Sequence, residues 1–237
     1  MGMGPVVRSL KDALDGTPVH LRQLAEMFRK HGRKQDRNTS AVQNLDSPDF
    51  THPLQQAWRS DTDVTPNAIV DAGKSNRPDP DAYLNADYVQ AHLDQFSDGA
   101  TRIYRTDSIL NYGPGNNQVP GNVTNTAYVF PTDQLDALMH QANSPAELAE
   151  ALGLPQGFFE GQNVQLRDFS PDELTGLRMP SGNEGGTDVD RWIPGGYLPS
   201  GIPEAVIDIP ADATGWKNGD NVLDQSRWTG SWRELKL

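Results

Sequence analysis

A chain of 237 residues with a net charge of −12 and no cysteine has room for one large domain or a domain with an extension, and it lacks a disulfide frame, a thiol nucleophile and any cysteine metal site. The charge is uneven, because residues 1–37 carry eight Lys/Arg against four Asp/Glu while the remainder carries twelve against twenty-eight. So acidic a body repels phosphate backbones, which argues against nonspecific nucleic-acid binding but leaves room for a small anion held by local arginines.

Thr17-Pro18 reads as the cap and first residue of a helix that puts Leu21, Leu24, Ala25 and Phe28 on one face. The basic residues on and beyond that helix suit a solvated, cationic last turn, or a docking arm for an acidic partner or for this chain's own body. From Asn38 to Pro80 periodicity is poor, and the stretch reads as a linker or loose wrap. The expected division is therefore a basic helical appendage over 1–75 and a compact domain over 76–237. If Met1-Gly2-Met3-Gly4 is an added leader, the chain is a piece of a longer protein. No stretch approaches the roughly eighteen apolar residues of a membrane span, and no signal-peptide pattern opens the chain, so no membrane partner is expected.

Asn85 is placed to cap a helix with Val89, Leu93 and Phe96 on one face; His92 sits beside that face and reads as packing at the core edge. Alternation predicts strands at 101–106, 126–130, 164–169 and 204–209. Ser144-Pro145-Ala146-Glu147 and Ser170-Pro171-Asp172-Glu173 carry the capping-box pattern. A Gly/Asn/Pro loop is expected over 111–122, and the tail from Trp216, rich in tryptophan, reads as a closing flap. Gly 22 and Pro 18 predict much loop. Strands and short helices without regular βαβ alternation predict an α+β fold with a small mixed or split antiparallel sheet.

The richest stretch runs from Arg178 to Pro210. It displays Arg178, Ser181, Asn183, Glu184 and Trp192 on a Gly/Pro scaffold and ends in a strand opened by Glu204. No phosphate-binding Gly-Lys loop, His-Glu-x-x-His helix or Gly-x-Ser-x-Gly elbow is present, and the histidines are scattered, so no metal is expected. A carboxylate can stabilise positive charge on a sugar carbon, an arginine can hold a phosphate, and an aromatic ring can stack on a base. Those are the needs of cleaving the nicotinamide–ribose bond of NAD.

On the segments TRIYRTDS, TAYVFPTDQLDAL, ELAEALGLP, LRMPSGNEGG, WIPGGYLPSG and PEAVID, about half the chain resembles the C-terminal toxin domains of bacterial polymorphic toxins, in particular their ADP-ribosyltransferase and NAD-glycohydrolase group. The resemblance implies an ADP-ribosyltransferase-like fold, Arg102 or Arg105 as phosphate clamp, Thr126 and Tyr128 as the middle motif, and Glu204 as catalytic group. NAD would be the substrate of a secreted effector used in interbacterial competition. It would act in a target-cell cytoplasm on an unknown macromolecule or on water, with a cognate immunity protein as partner. Thr124-Asn125-Thr126 stands where the family has Ser-Thr-Ser, and Ile202 stands two residues before Glu204 where a Glu or Gln is usual, which argues against arginine as acceptor. Two other readings stay open: a noncatalytic interaction domain, and a glycoside hydrolase pairing Glu184 with Glu204.

Overall fold

In a computed structural model, the described residues are 57–107, 126–198, 200–209 and 231–235. The expected basic helix near residues 17–28 and the loop over 111–122 lie outside them. The four strands expected from alternation are present within a residue or two: β1 Ala100–Arg105, β2 Thr126–Pro131, β3 Val164–Phe169 and β4 Ala205–Asp208. A further strand, β5 Ser231–Leu235, falls in the tail that reads as a flap. The result is an α+β fold on an antiparallel sheet of order β4-β2-β1-β3-β5.

The ladders differ in length in a way that shapes the molecule. β1 follows β3 from Ala100↔Phe169 to Arg105↔Val164. Against β2 it pairs only at Ala100↔Pro131 and Thr101↔Phe130. The next residue, Arg102, donates from Nη1 to the Tyr128 carbonyl at 3.1 Å. A side-chain N–H thus serves a β2 carbonyl beyond the end of the ladder. On the far side of β4, the segment 175–178 covers the edge through Arg178 N to Val206 O at 3.0 Å, Val206 N to Arg178 O at 2.9 Å and Asp208 N to Thr175 O at 2.8 Å. An otherwise open edge is closed in this way.

The described residues include four short helices: α1 Pro66–Asp71, α2 Ala86–Leu93, α3 Leu135–Gln141 and α4 Pro145–Ala151. Ser144 caps α4 by accepting from Glu147 N at 3.2 Å, and Ser170 with Glu173 forms the second expected capping box. Phe130, Leu138, Leu148, Phe159, Leu166 and Ile202 make the core on one face, where α3 and α4 pack. Phe96, Ala127, Val129, Phe169, Ala205 and Ile207 make the core on the other.

A third cluster holds Ile69, Tyr83, Leu84, Tyr88, Met179, Trp192 and Tyr197. The sequence-based boundary at 75/76 falls inside it. Ile69 of α1 is 0% exposed, Trp58 bridges Leu84, and Asn183 accepts from Ser75 N and Arg77 N at 2.8 and 3.2 Å. Helix α1 escapes notice in the sequence because six residues are too few to show a period. Ile69→Ala should therefore destabilise the whole chain by about 3 kcal/mol, read as a lower urea midpoint. A loss under about 0.5 kcal/mol would mean that residues 57–75 only rest on the body.

Candidate functional site

Glu204 follows Pro203 and precedes β4 by one residue. The alternation that buries Ala205 and Ile207 turns Glu204 to the opposite face, shared with Val206 and Asp208. That face is not an open cleft along its length, since Val206 is 0% exposed. The main chain of Glu204 has no sheet partner. Its N–H donates to Gly196 O at 2.7 Å, and its carbonyl accepts from His92 Nε2 at 2.9 Å.

The Glu204 side chain is set differently. Solvent reaches part of the residue while protein crowds the rest, and no described residue donates a hydrogen bond to its carboxyl. Burial pushes its pKa up to about 8, the negative charge of Glu184 pushes the same way, and the Arg102 guanidinium opposes both. Residual solvent contact tempers what that shift is worth in stability.

Glu184 is the opposite case. It is 8% exposed, yet its carboxylate is fully occupied. Oε1 accepts from Ser181 N and Ser181 Oγ, both at 2.9 Å. Oε2 accepts from Gly182 N at 2.8 Å and from Tyr128 Oη at 3.1 Å. These donors fill the roughly four lone-pair positions a carboxylate offers. Tyr128 Oη also meets Thr187 Oγ1, which lies 2.9 Å from the Glu184 carbonyl. Burial, then the charges of Glu184 and Glu204, raise the Tyr128 pKa well above its ordinary value, so the phenol stays protonated and remains a donor.

This turn is held from behind. Arg77, 5% exposed, donates from Nη1 to Gly182 O at 2.7 Å and lies 4.4 Å over the Trp192 ring. Asn183 accepts from the backbone of Ser75 and Arg77 and donates to Arg77 O at 2.9 Å. Ser181, Asn183 and Trp192 thus have architectural contacts, with Arg77 lying over the face of the Trp192 ring. Gly182 has φ +80°, and a Cβ there would lie 2.6 Å from Arg77 Nη1 and 2.7 Å from the Trp192 ring.

The remaining candidates disperse. Arg105 pairs with Asp107 and lies 4.9 Å over Phe158. Arg178 pairs with Asp208 at 2.9 Å, not with Glu184. Thr126, 0% exposed, sits opposite Asp208 in the β2–β4 register. Of the two strand arginines, Arg102 alone bears on Glu204. The structure adds Arg77, Thr187 and His92. Arg77 stands among turn residues and gives no periodic signal, and His92 looks in sequence like any residue flanking an apolar face. Among the described residues, no three His, Asp or Glu side chains cluster as a metal ion would need, and no helix is long and apolar enough to cross a membrane.

Gly182→Ala should cost at least about 1 kcal/mol more than Gly161→Ala, whose added Cβ meets nothing within 4 Å at a similar positive φ; equal Tm losses would mean the Arg77–Trp192 packing tolerates it. Glu204, with its folded pKa raised from 4.5 to about 8, makes stability fall as pH rises through that window. His92, lowered from 6.5 to about 4 by burial, makes stability fall as pH drops through its own window. Glu204→Gln should therefore stabilise the chain by about 2 kcal/mol at pH 8.5 and by much less at pH 5. Equal effects at both would contradict the raised pKa. No family model, no curated protein and no solved structure matches this chain.

Proposed function

We propose that the chain is a NAD-consuming enzyme of the bacterial-toxin kind that splits the nicotinamide–ribose bond with Glu204 as its working carboxyl. One observation carries the reading: Glu204 stands without a donor among the described residues, in reach of solvent, under the field of Arg102 and with its pKa raised to about 8. Buried carboxyls are costly, and one left unsatisfied beside an arginine suits a group kept for chemistry. The short β1–β2 ladder accords with the split sheet of the ADP-ribosyltransferase-like fold that the resemblance implies.

When the bond to nicotinamide breaks, the pyridinium nitrogen takes the electron pair and leaves as neutral nicotinamide. Positive charge is left on the ribose carbon, and the Glu204 carboxylate stabilises it. Arg102 supplies a fixed cation near the same carboxyl, suited to a phosphate of the substrate. Water or a nucleophile on a target macromolecule then closes the ribose bond and gives up a proton. With a pKa near 8 the resting carboxyl is mostly protonated at neutral pH. A cationic nicotinamide ring favours its ionised form, so substrate and proton compete. Paired-glutamate glycoside hydrolysis fits less well, because the oxygens of Glu184 are already committed to four donors. The proposal includes delivery into a target cell and a cognate immunity protein in the producing one.

The pure chain incubated with NAD should release free nicotinamide. The rate constant kcat/KM should climb with pH and level off above about 8, since it reports ionisation of the free enzyme. Glu204→Gln should lower kcat about 10²–10³-fold with KM little changed. A folded chain that releases no nicotinamide, or a Glu204→Gln variant as active as wild type, would overturn the proposal.

A further inference from the structure

Glu204 is gripped by its main chain, and the grip is unusual. It lies outside the β4 ladder, so neither backbone polar group has a sheet partner. The N–H instead donates to Gly196 O at 2.7 Å, and the carbonyl is met at 2.9 Å by His92 Nε2, more than a hundred residues earlier in the chain. A carbonyl can only accept, so the proton of the neutral imidazole must sit on Nε2.

The bond to the Glu204 carbonyl is what an imidazole supplies at this position and an apolar side chain cannot. His92 is 0% exposed, and its Nδ1 is buried with no hydrogen-bond partner among the described residues. An apolar side chain would fill the same space without leaving an acceptor unsatisfied, a defect that costs free energy. The ring is confined on several sides. Tyr197 meets it edge-on with centroids 5.1 Å apart, Phe96 lies at 5.9 Å and Tyr88 at 6.5 Å. Gly196 approaches so closely that a Cβ there would stand 2.9 Å from His92 Cε1. The same glycine supplies the carbonyl that holds Glu204 N–H, so both ends of the grip belong to one packed unit.

We propose that His92 is a positioning residue: its Nε2–H and the Gly196 carbonyl hold the Glu204 main chain from both sides and fix where the carboxyl stands. The proposal rests on the reading of Glu204 as the working carboxyl. His92 touches no substrate in this account and acts only through Glu204. Burial keeps the ring neutral down to about pH 4, so the donor has the same form throughout the working range. Misplacing a reacting group by about 1 Å can cost on the order of 10² in rate, which a lost tether at the adjoining main chain can produce.

The test uses the whole chain. Nitrogen NMR of labelled histidine in the wild type should show the Nε2–H tautomer; an Nδ1–H tautomer would overturn the proposal outright. His92→Leu removes the donor, and His92→Gln returns an N–H at similar reach. With folding confirmed by circular dichroism, His92→Leu should lose about tenfold or more in kcat for nicotinamide release with KM within about twofold, and His92→Gln should regain most of it. Unchanged kcat in folded His92→Leu would overturn the role. Should His92→Leu not fold, His92→Phe takes its place. If the wild type releases no nicotinamide, the NAD reading fails, and positioning is judged from the Glu204 carboxyl titration alone. A midpoint moved by about one unit in His92→Leu but not in His92→Gln supports it, and equal midpoints in all three proteins overturn it.

Discussion

A carboxyl group drawn away from water must find donors or pay for their lack, and the two glutamates at the centre of this molecule answer that constraint in opposite ways. Glu184 is buried and saturated by two backbone N–H groups, a serine hydroxyl and the phenol of Tyr128. Glu204 is crowded by protein, has no donor among the described residues, and titrates near 8. The contrast separates an architectural carboxylate from one available for chemistry. It also links them, because the charge on Glu184 is part of what raises Glu204.

The rest of the fold serves that arrangement. The ladder between β1 and β2 stops after Thr101, and Arg102, at that point, lends its guanidinium to the Tyr128 carbonyl and its field to Glu204. Tyr128 reaches from β2 to the turn that carries Glu184. Arg77, Trp192 and Asn183 fix that turn against the segment around residue 75. The cluster around Ile69 supports this segment in turn. A region that reads in sequence as linker is therefore mechanically joined to the site.

The strands were legible because short apolar runs such as Thr126–Pro131 and Ala205–Asp208 are buried along almost their whole length. The capped turns at Ser144 and Ser170 were legible because capping is local chemistry. Helix α1 was not, being shorter than two turns, and β5 was masked by its place in a polar tail. Within the site, the prominence of Glu204 followed from its position ahead of an apolar strand. Its lack of donors did not, since hydrogen-bond satisfaction depends on contacts far apart in sequence. For the same reason the contacts of Asn183 and Trp192 with Ser75 and Arg77, more than a hundred residues away, could not be read from the composition of the loop. The tie from His92 to Glu204 O spans a similar distance, and no spacing rule could have disclosed it.

The fold holds the Glu204 carboxyl above the ordinary carboxylate range while solvent and Arg102 still reach it. Carbon NMR of the chain labelled at glutamate side-chain carboxyls, with Glu204→Gln used to assign the resonance, reads this directly. The Glu204 midpoint should lie near 8. A midpoint near the ordinary 4.5 would mean the carboxyl is simply solvated, and the physical basis for placing the chemistry at Glu204 would be gone.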